Sequence, residues 1–246
     1  MKQNKKLTEN ELKERLVKFY SRYGDEVEQI KGLLEIKLKQ ICLAYTIQNK
    51  LPQEALTVTA RKKTLKSLIK KFEDKNWPQF YYPTEIVKDL VGARITSWFL
   101  DDISNLLDYI NNTSHFEVAD KSIEDYIKEP KPSGYRGLHL LTLVTYDSVR
   151  RDKGKEIVII PKKMICEIQI RTKLQDAWGD ITHEFHYKAK KLGVANPDLE
   201  EFLSDVSNRL FQEDKTLIKF RNVYQRMADD KLLQKEREGF RDDEEM

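Results

Sequence analysis

Three short stretches of this sequence carry side chains that could do chemistry together. Asp89-Leu90-Val91-Gly92-Ala93-Arg94 puts a carboxylate at the mouth of a β-rich run and an arginine five residues later. Residues five apart in a strand point to opposite faces, so either the chain bends at Gly92 or the two serve different jobs. In Glu167-Ile168-Gln169-Ile170-Arg171 the alternation places Glu167, Gln169 and Arg171 on one face and the isoleucines on the other. The loop Pro130 to Gly137 (PKPSGYRG) combines cations, an aromatic ring and backbone freedom, the ingredients for holding a nucleotide's base and phosphates. Asp89 and Glu167 on neighbouring strands could hold a Mg²⁺, which takes one or two carboxylates plus phosphate oxygens and water. That arrangement serves phosphoryl or nucleotidyl transfer, where metal, Arg and Lys balance charge on the phosphates. Taken singly, each carboxylate also reads as a strand-end acid paired with a lysine.

The net charge of +3 hides an uneven distribution. Residues 196–246 hold 9 basic and 14 acidic side chains, net −5, so residues 1–195, with 35 basic and 27 acidic, carry +8. The densest cationic run, Val58 to Lys71, contains Arg61, Lys62, Lys63, Lys66, Lys70 and Lys71 with no acid, which would attract a polyanion. As charge alone, such a run is also simply a solvated helix face.

These side chains must be positioned by a mixed set of elements. Apolar residues from Leu12 to Ile41 recur at helical spacing with Gly24 and Gly32 as interruptions, predicting one or two N-terminal helices before Pro52. Leu65, Leu68, Ile69 and Phe72 give the basic stretch an apolar side, predicting a short amphipathic helix that ends before Asn76. Val91 to Trp98, His115 to Ala119, Leu138 to Tyr146 and Met164 to Arg171 read as strands, with an extra one at Glu156 to Ile160; Ile103 to Ile110 reads as a helix and Lys128 to Gly137 as a loop. Leu174 to Lys191 is helical, and after Pro197 the apolar series from Leu199 to Met227 predicts two helices or one long one, with a charged, frayed tail from Lys235. The expected class is α+β: a mixed sheet of about five strands between helical flanks, without repeats or domain-separating linkers.

Composition excludes several classes. A length of 246 residues with 39% hydrophobic content can bury a real core, while 35% charged residues and few Gly and Pro rule out collagen-like and low-complexity chains. No apolar run approaches the ~18 residues of a membrane span, and the N-terminus has no apolar signal region, so a cytoplasmic protein with no membrane partner is expected. Cys42 and Cys166 read as buried free thiols and supply no zinc cluster. His183 and His186, three apart, lack the spacing of a zinc helix, and a packing or loop-contact role for His183 is expected.

Taken together, Arg61-x-Lys63-x-x-x-Ser67-x-x-x-Lys71, Asp89-x-x-Gly92-x-Arg94, Asp125-Tyr126-Ile127-x-x-Pro130-Lys131-Pro132-x-Gly134-Tyr135-Arg136-x-x-His139 and Glu167-Ile168-Gln169-Ile170-Arg171-Thr172 resemble the synthetase domain of the RelA/SpoT alarmone synthetases. The order and spacing match over roughly residues 55–190. The resemblance implies a nucleotidyltransferase-like fold divided as an N-terminal helical segment (1–52), a synthetase domain (53–195) and C-terminal helices with a charged tail (196–246). It implies transfer of the β,γ-diphosphate of ATP to the 3′-hydroxyl of GDP or GTP, making (p)ppGpp and releasing AMP. Arg61 and Arg94 would then hold the adenine, and Lys63, Ser67 and Lys71 the ATP phosphates. Asp89 would bind Mg²⁺, Glu167 would be a second metal ligand or the general base, and Tyr135 would stack on the acceptor base. Lys131, Arg136, His139 and Gln169 would lie around the acceptor. Asp176 would either accept from guanine N1–H and N2–H₂ or simply complement a helix N-terminus.

No His-Asp pair sits in an N-terminal domain of the size the family's hydrolase half needs, so the chain resembles the small, single-domain synthetases. Gly179 and Thr182 stand where relatives often place Ala and Glu, and Gly137 where many have Ser. Two other functions stay open: a toxin that pyrophosphorylates the 3′-terminal adenosine of tRNA, and a catalytically silent nucleotide- or RNA-binding module. The partners implied are ATP, GDP/GTP or a tRNA 3′ end, a second copy through the C-terminal helices, and an antitoxin.

Overall fold

The computed structural model describes residues 6–119, 122–151, 156–194 and 197–244, without the side chains of 150–151, 186–187, 190–191, 197 and 232–244. The chain opens with one 40-residue helix, α1 (Glu9–Gln48), started by a capping box between Thr8 and Glu11. Gly24 and Gly32 lie inside it without a break, because Leu12, Leu16, Val27, Ile30, Leu34 and Leu38 keep one continuous buried stripe against the core.

The basic stretch is not a single helix. Leu56–Lys62 forms strand β1, whose alternating exposure follows its Leu-Thr-Val-Thr pattern, and only after Thr64 does α2 (Leu65–Glu73) begin. Thr64 caps it by accepting from the Ser67 N–H at 3.1 Å. A short α3 (Pro83–Ile86) leads to β2 (Val91–Ser97) and α4 (Asp101–Asn112). Two-residue strands β3 (Glu117–Val118) and β4 (Glu124–Asp125) precede the long hairpin β5 (Leu138–Arg151) and β6 (Ile157–Thr172). The expected strand at Glu156 to Ile160 is thus the start of β6, and the one at His115 to Ala119 shrinks to β3.

The sheet order is β1-β2-β6-β5-β3, with β4 also paired to β5; β2 and β6 run parallel and the other pairs antiparallel. This is the expected mixed sheet, with β1 and β4 added to the strands read from sequence. Ile168, Ile170, Leu138 and Leu140 face the same buried core as α1, so the N-terminal helix shares the sheet's hydrophobic interior. Cys42 and Cys166 are buried free thiols, pushed up to about 12 by burial. No helix among the described residues is long and apolar enough to cross a membrane.

After α5 (Lys173–Leu192), α6 (Pro197–Glu244) runs as one helix of 48 residues. Pro197 starts it, as proline does at a first turn, and the helix continues past Lys235 to Glu244. Its anchor to the sheet is Asp214, fully buried, which accepts from Thr172 Oγ1 at 2.9 Å and Gln175 Nε2 at 3.1 Å. Burial pushes this carboxyl up to about 6 despite those bonds. Between about pH 4 and about pH 6 the native state therefore keeps a proton that the unfolded chain releases, and stability falls as pH rises through that window. Asp214→Asn is expected to flatten this slope, read as the difference in denaturation free energy between about pH 4 and about pH 7; the same slope in both proteins would refute it.

Candidate active site

The register of the sheet gathers the polar residues into rows. Thr59, Arg94, Gln169 and His139 are cross-strand neighbours, and Arg61, Gly92, Glu167 and Leu141 form the next row. Gly92, lacking a side chain, leaves open floor between Arg61 and Glu167. Here lies a cavity of about 340 Å³ lined by Arg61, Asp89, Gly92, Arg94, Glu167, Gln169 and Asp180. Asp89 precedes β2 in a turn, where the Lys63 N–H donates to the Leu90 carbonyl at 2.8 Å. Asp89 and Arg94 can therefore face one cavity despite their spacing.

The Asp89 carboxylate lies 2.9 Å from Lys63 Nζ and 2.6 Å from Lys71 Nζ. Burial raises its proton affinity, but the two lysines outweigh that and hold it below the usual carboxylate range. Glu167 is governed similarly. Burial pushes it up, while His139 and the Gln169 amide, which donates at 2.7 Å, bring it below the ordinary value against repulsion from Asp89. His139 Nδ1 is 3.4 Å from Glu167 Oε1, and its Nε2 shares a hydrogen bond with the Tyr135 hydroxyl. Among the described residues no group of three His, Cys, Asp or Glu gathers in metal-ligand fashion. Two mutually repelling carboxylates on one cavity suit a hard divalent cation, which fills its remaining positions with water and phosphate oxygens.

A second cavity of about 510 Å³ adjoins the first, and Arg61, Arg94, Gln169 and Asp180 belong to both. Its other walls include Lys131, Tyr135, His139, Arg171, Gly179 and His183. Lys131 Nζ sits 4.2 Å over the Tyr126 ring and 5.3 Å over Tyr135. Gly134, at φ +84°, makes the loop's tight approach to α6, where a Cβ would meet Ser204 Cα at 2.7 Å; Ser207 Oγ donates to its carbonyl at 2.5 Å.

Several expected site residues sit differently. Arg136 is buried away from the groove, donating to the Ile127 carbonyl and to Asn208 Oδ1, both at 2.8 Å, with its guanidinium 4.1 Å over Phe211. It ties the loop to α6 and does not reach an acceptor in this geometry. Ser67 lies exposed in the first turn of α2 beside Thr64, outside the lining of either cavity. Arg61 belongs to β1 and Lys63 to the turn after it, so only Lys66, Lys70 and Lys71 of the run are helical. Lys62 pairs with Glu28 at 2.8 Å, in keeping with a solvent-side role. Asp176 accepts from Arg94 Nη1 at 2.7 Å and lies 3.6 Å from Arg171 Nη1, so two arginines already engage it. Arg171 and Asp180 line the site without having been assigned a role from sequence, although the alternation of β6 had put Arg171 on the polar face. His183 faces the second cavity; the side chain of His186 lies outside the described residues.

A mixed sheet whose arginine-walled cavity holds two carboxylates and adjoins a tyrosine-walled one has the layout of a phosphoryl-transfer site. The profile of the region found in RelA/SpoT proteins matches residues 60–192, and the chain belongs to that family. The chain is 33% identical over 172 residues to GTP pyrophosphokinase YjbM of Bacillus subtilis, covering 70% of this chain and 72% of that one. The small alarmone synthetase 1 of Bacillus subtilis, solved with its product pppGpp, superposes with a TM-score of 0.67 at 27% identity, covering 85% of this chain and 99% of that one. A GTP pyrophosphokinase family protein from Streptococcus pneumoniae gives a TM-score of 0.68 at 26% identity, covering 84% and 94%.

Proposed function

We propose that this chain transfers the β,γ-diphosphate of ATP to the 3′-hydroxyl of GDP or GTP, forming (p)ppGpp and AMP. The observation that carries this reading is a cationic cavity holding Asp89 and Glu167 that adjoins an aromatic one through the shared Arg61, Arg94, Gln169 and Asp180. ATP lies on the side of Arg61 and Arg94, whose planar cations stack on adenine as lysine could not. Lys63 and Lys71, now paired with Asp89, turn to the phosphate oxygens as ATP enters. The acceptor base stacks on Tyr135, with Lys131 and His139 toward its phosphates and sugar. The 3′-oxygen attacks the β-phosphorus, the bond from that phosphorus to the oxygen bridging the α-phosphate breaks, and AMP leaves with the oxygen. Glu167, held ionised by His139 and Gln169, takes the hydroxyl proton. Asp89 would hold Mg²⁺, with Glu167 as the second ligand if it is not the base, and the ion's charge when bound offsets that developing on the phosphates.

Purified chain with Mg²⁺, GDP and ATP labelled in the β-phosphate is expected to yield AMP and a labelled 3′-pyrophosphorylated guanine nucleotide. No such product with GDP or GTP would sink the proposal, and label on deacylated tRNA instead would move the acceptor to a 3′-terminal adenosine. Absence of all transfer, with nucleotide binding retained, would favour the silent module. In the same reading, the exposed Phe220, Tyr224 and Met227 of α6 supply the surface through which C-terminal helices would pair copies or seat an antitoxin. The mass in solution tests the pairing.

A further inference from the structure

Arg171 is a buried cation that the reaction above does not use. Its side chain is 7% exposed, and its guanidinium lies 4.7 Å over the ring of Tyr135. Nη2 donates to Gln169 Oε1 at 2.8 Å and Nη1 lies 3.6 Å from Asp176, while Nε has no hydrogen-bond partner. Two glycines make room for it. A Cβ on Gly179 would stand 2.8 Å from Arg171 Nη1, and one on Gly137 would stand 3.2 Å from Arg171 Cγ and 3.0 Å from the Tyr135 hydroxyl. A helix interior favours Ala over Gly, so Gly179 costs helix stability that its contact with Arg171 explains.

We infer that Arg171 is a positioning residue for the acceptor base: its guanidinium, wedged between Gly179 and Tyr135, fixes that ring and leaves the opposite face as the stacking surface for a purine. This rests on the acceptor reading proposed above. A cation against one face locks the ring's orientation with a planar group that lysine lacks, and the Gln169 and Asp176 contacts set that plane. Because Asp176 also binds Arg94, the two nucleotide sides share one carboxylate. The guanidinium is held mainly on the acceptor side, so the effect of losing it falls there.

The test measures dissociation constants of GDP and, separately, of ATP for the full chain. Arg171→Gln is expected to weaken GDP about tenfold, the scale of a desolvated cation–π contact, and ATP by no more than about threefold. Arg171→Lys should fail to rescue GDP binding, since an ammonium does not lie flat on the ring. Gly179→Ala should push the guanidinium away and weaken GDP without lowering the melting temperature. In the Arg171→Gln background, where the shorter side chain leaves space, the same alanine should add nothing. Equal weakening of GDP and ATP, rescue by lysine, or a Gly179→Ala effect independent of Arg171 would each overturn the inference. Should Arg171→Gln not fold, the Gly179→Ala comparison of GDP with ATP decides alone. A wild-type chain that binds no GDP overturns it outright. If instead GDP binds and the variants behave as described but no 3′-pyrophosphorylated nucleotide forms, only the reading of the reaction fails.

Discussion

Replacing Glu167 by glutamine is expected to cut turnover by about 10²–10⁴ while leaving the fold intact, the usual loss when a positioned base is removed. The amide keeps the shape and can still accept from Gln169, but it neither takes a proton nor carries charge. The substitution sits on the polar face of β6, with Ile168 and Ile170 untouched in the core, so denaturation midpoints should move little. Burial, His139, Gln169 and Asp89 all act on this carboxyl, and their balance holds it below the ordinary glutamate range. A base must be ionised, so the wild-type rate should not titrate with Glu167 near neutrality. Its acid limb should lie below the pH at which an exposed glutamate protonates. Single-turnover rates with saturating ATP and GDP check the first statement, and the pH profile the second. A variant within about threefold of wild type would remove Glu167 from proton transfer.

The site was legible in sequence wherever one strand carried it alone. The alternation of β6 separated Glu167, Gln169 and Arg171 from the isoleucines, and the sheet put them where that pattern said. β1 was missed because Leu56 to Lys62 ends in cations that continue into those of α2, and the change of period at Thr64 is lost in the charge. Arg136 misled for a different reason. A cation in a glycine-rich loop reads as a phosphate contact, yet Asn208 and Phe211, more than seventy residues later, take it into the body of the protein. Arg171 was visible but had no role, since its partners Tyr135 and Gly179 come from a loop and from α5. Contacts between distant elements set both Arg136 and Arg171, and local periodicity does not encode them.

The second large effect concerns Arg221 in the middle of α6, where such a distant contact bears stability. Asp102, 2% exposed at the start of α4, accepts from Tyr45 Oη at 2.8 Å, Ser97 Oγ at 3.0 Å and Arg221 Nη1 at 3.0 Å. Arg221 also pairs with Asp101 and lies 4.4 Å over Phe99, so one carboxylate joins α1, β2, α4 and α6. Asp102→Ala is expected to cost about 3–5 kcal/mol, because it leaves two buried hydroxyls and part of a buried guanidinium without their acceptor. Against a typical total of about 5–15 kcal/mol this is a large share, read as a lower denaturant midpoint at unchanged slope. Asp102→Asn keeps the volume and one acceptor but not the charge, so it should fall between wild type and alanine. α6 remains held by Asp214 to Thr172 and Gln175, and by Ser207 and Asn208 to the acceptor loop. The folded fraction of Asp102→Ala should therefore keep its affinity for GDP even as the midpoint drops. Loss of GDP affinity in step with stability would instead show that the Arg221 anchor sets the acceptor loop.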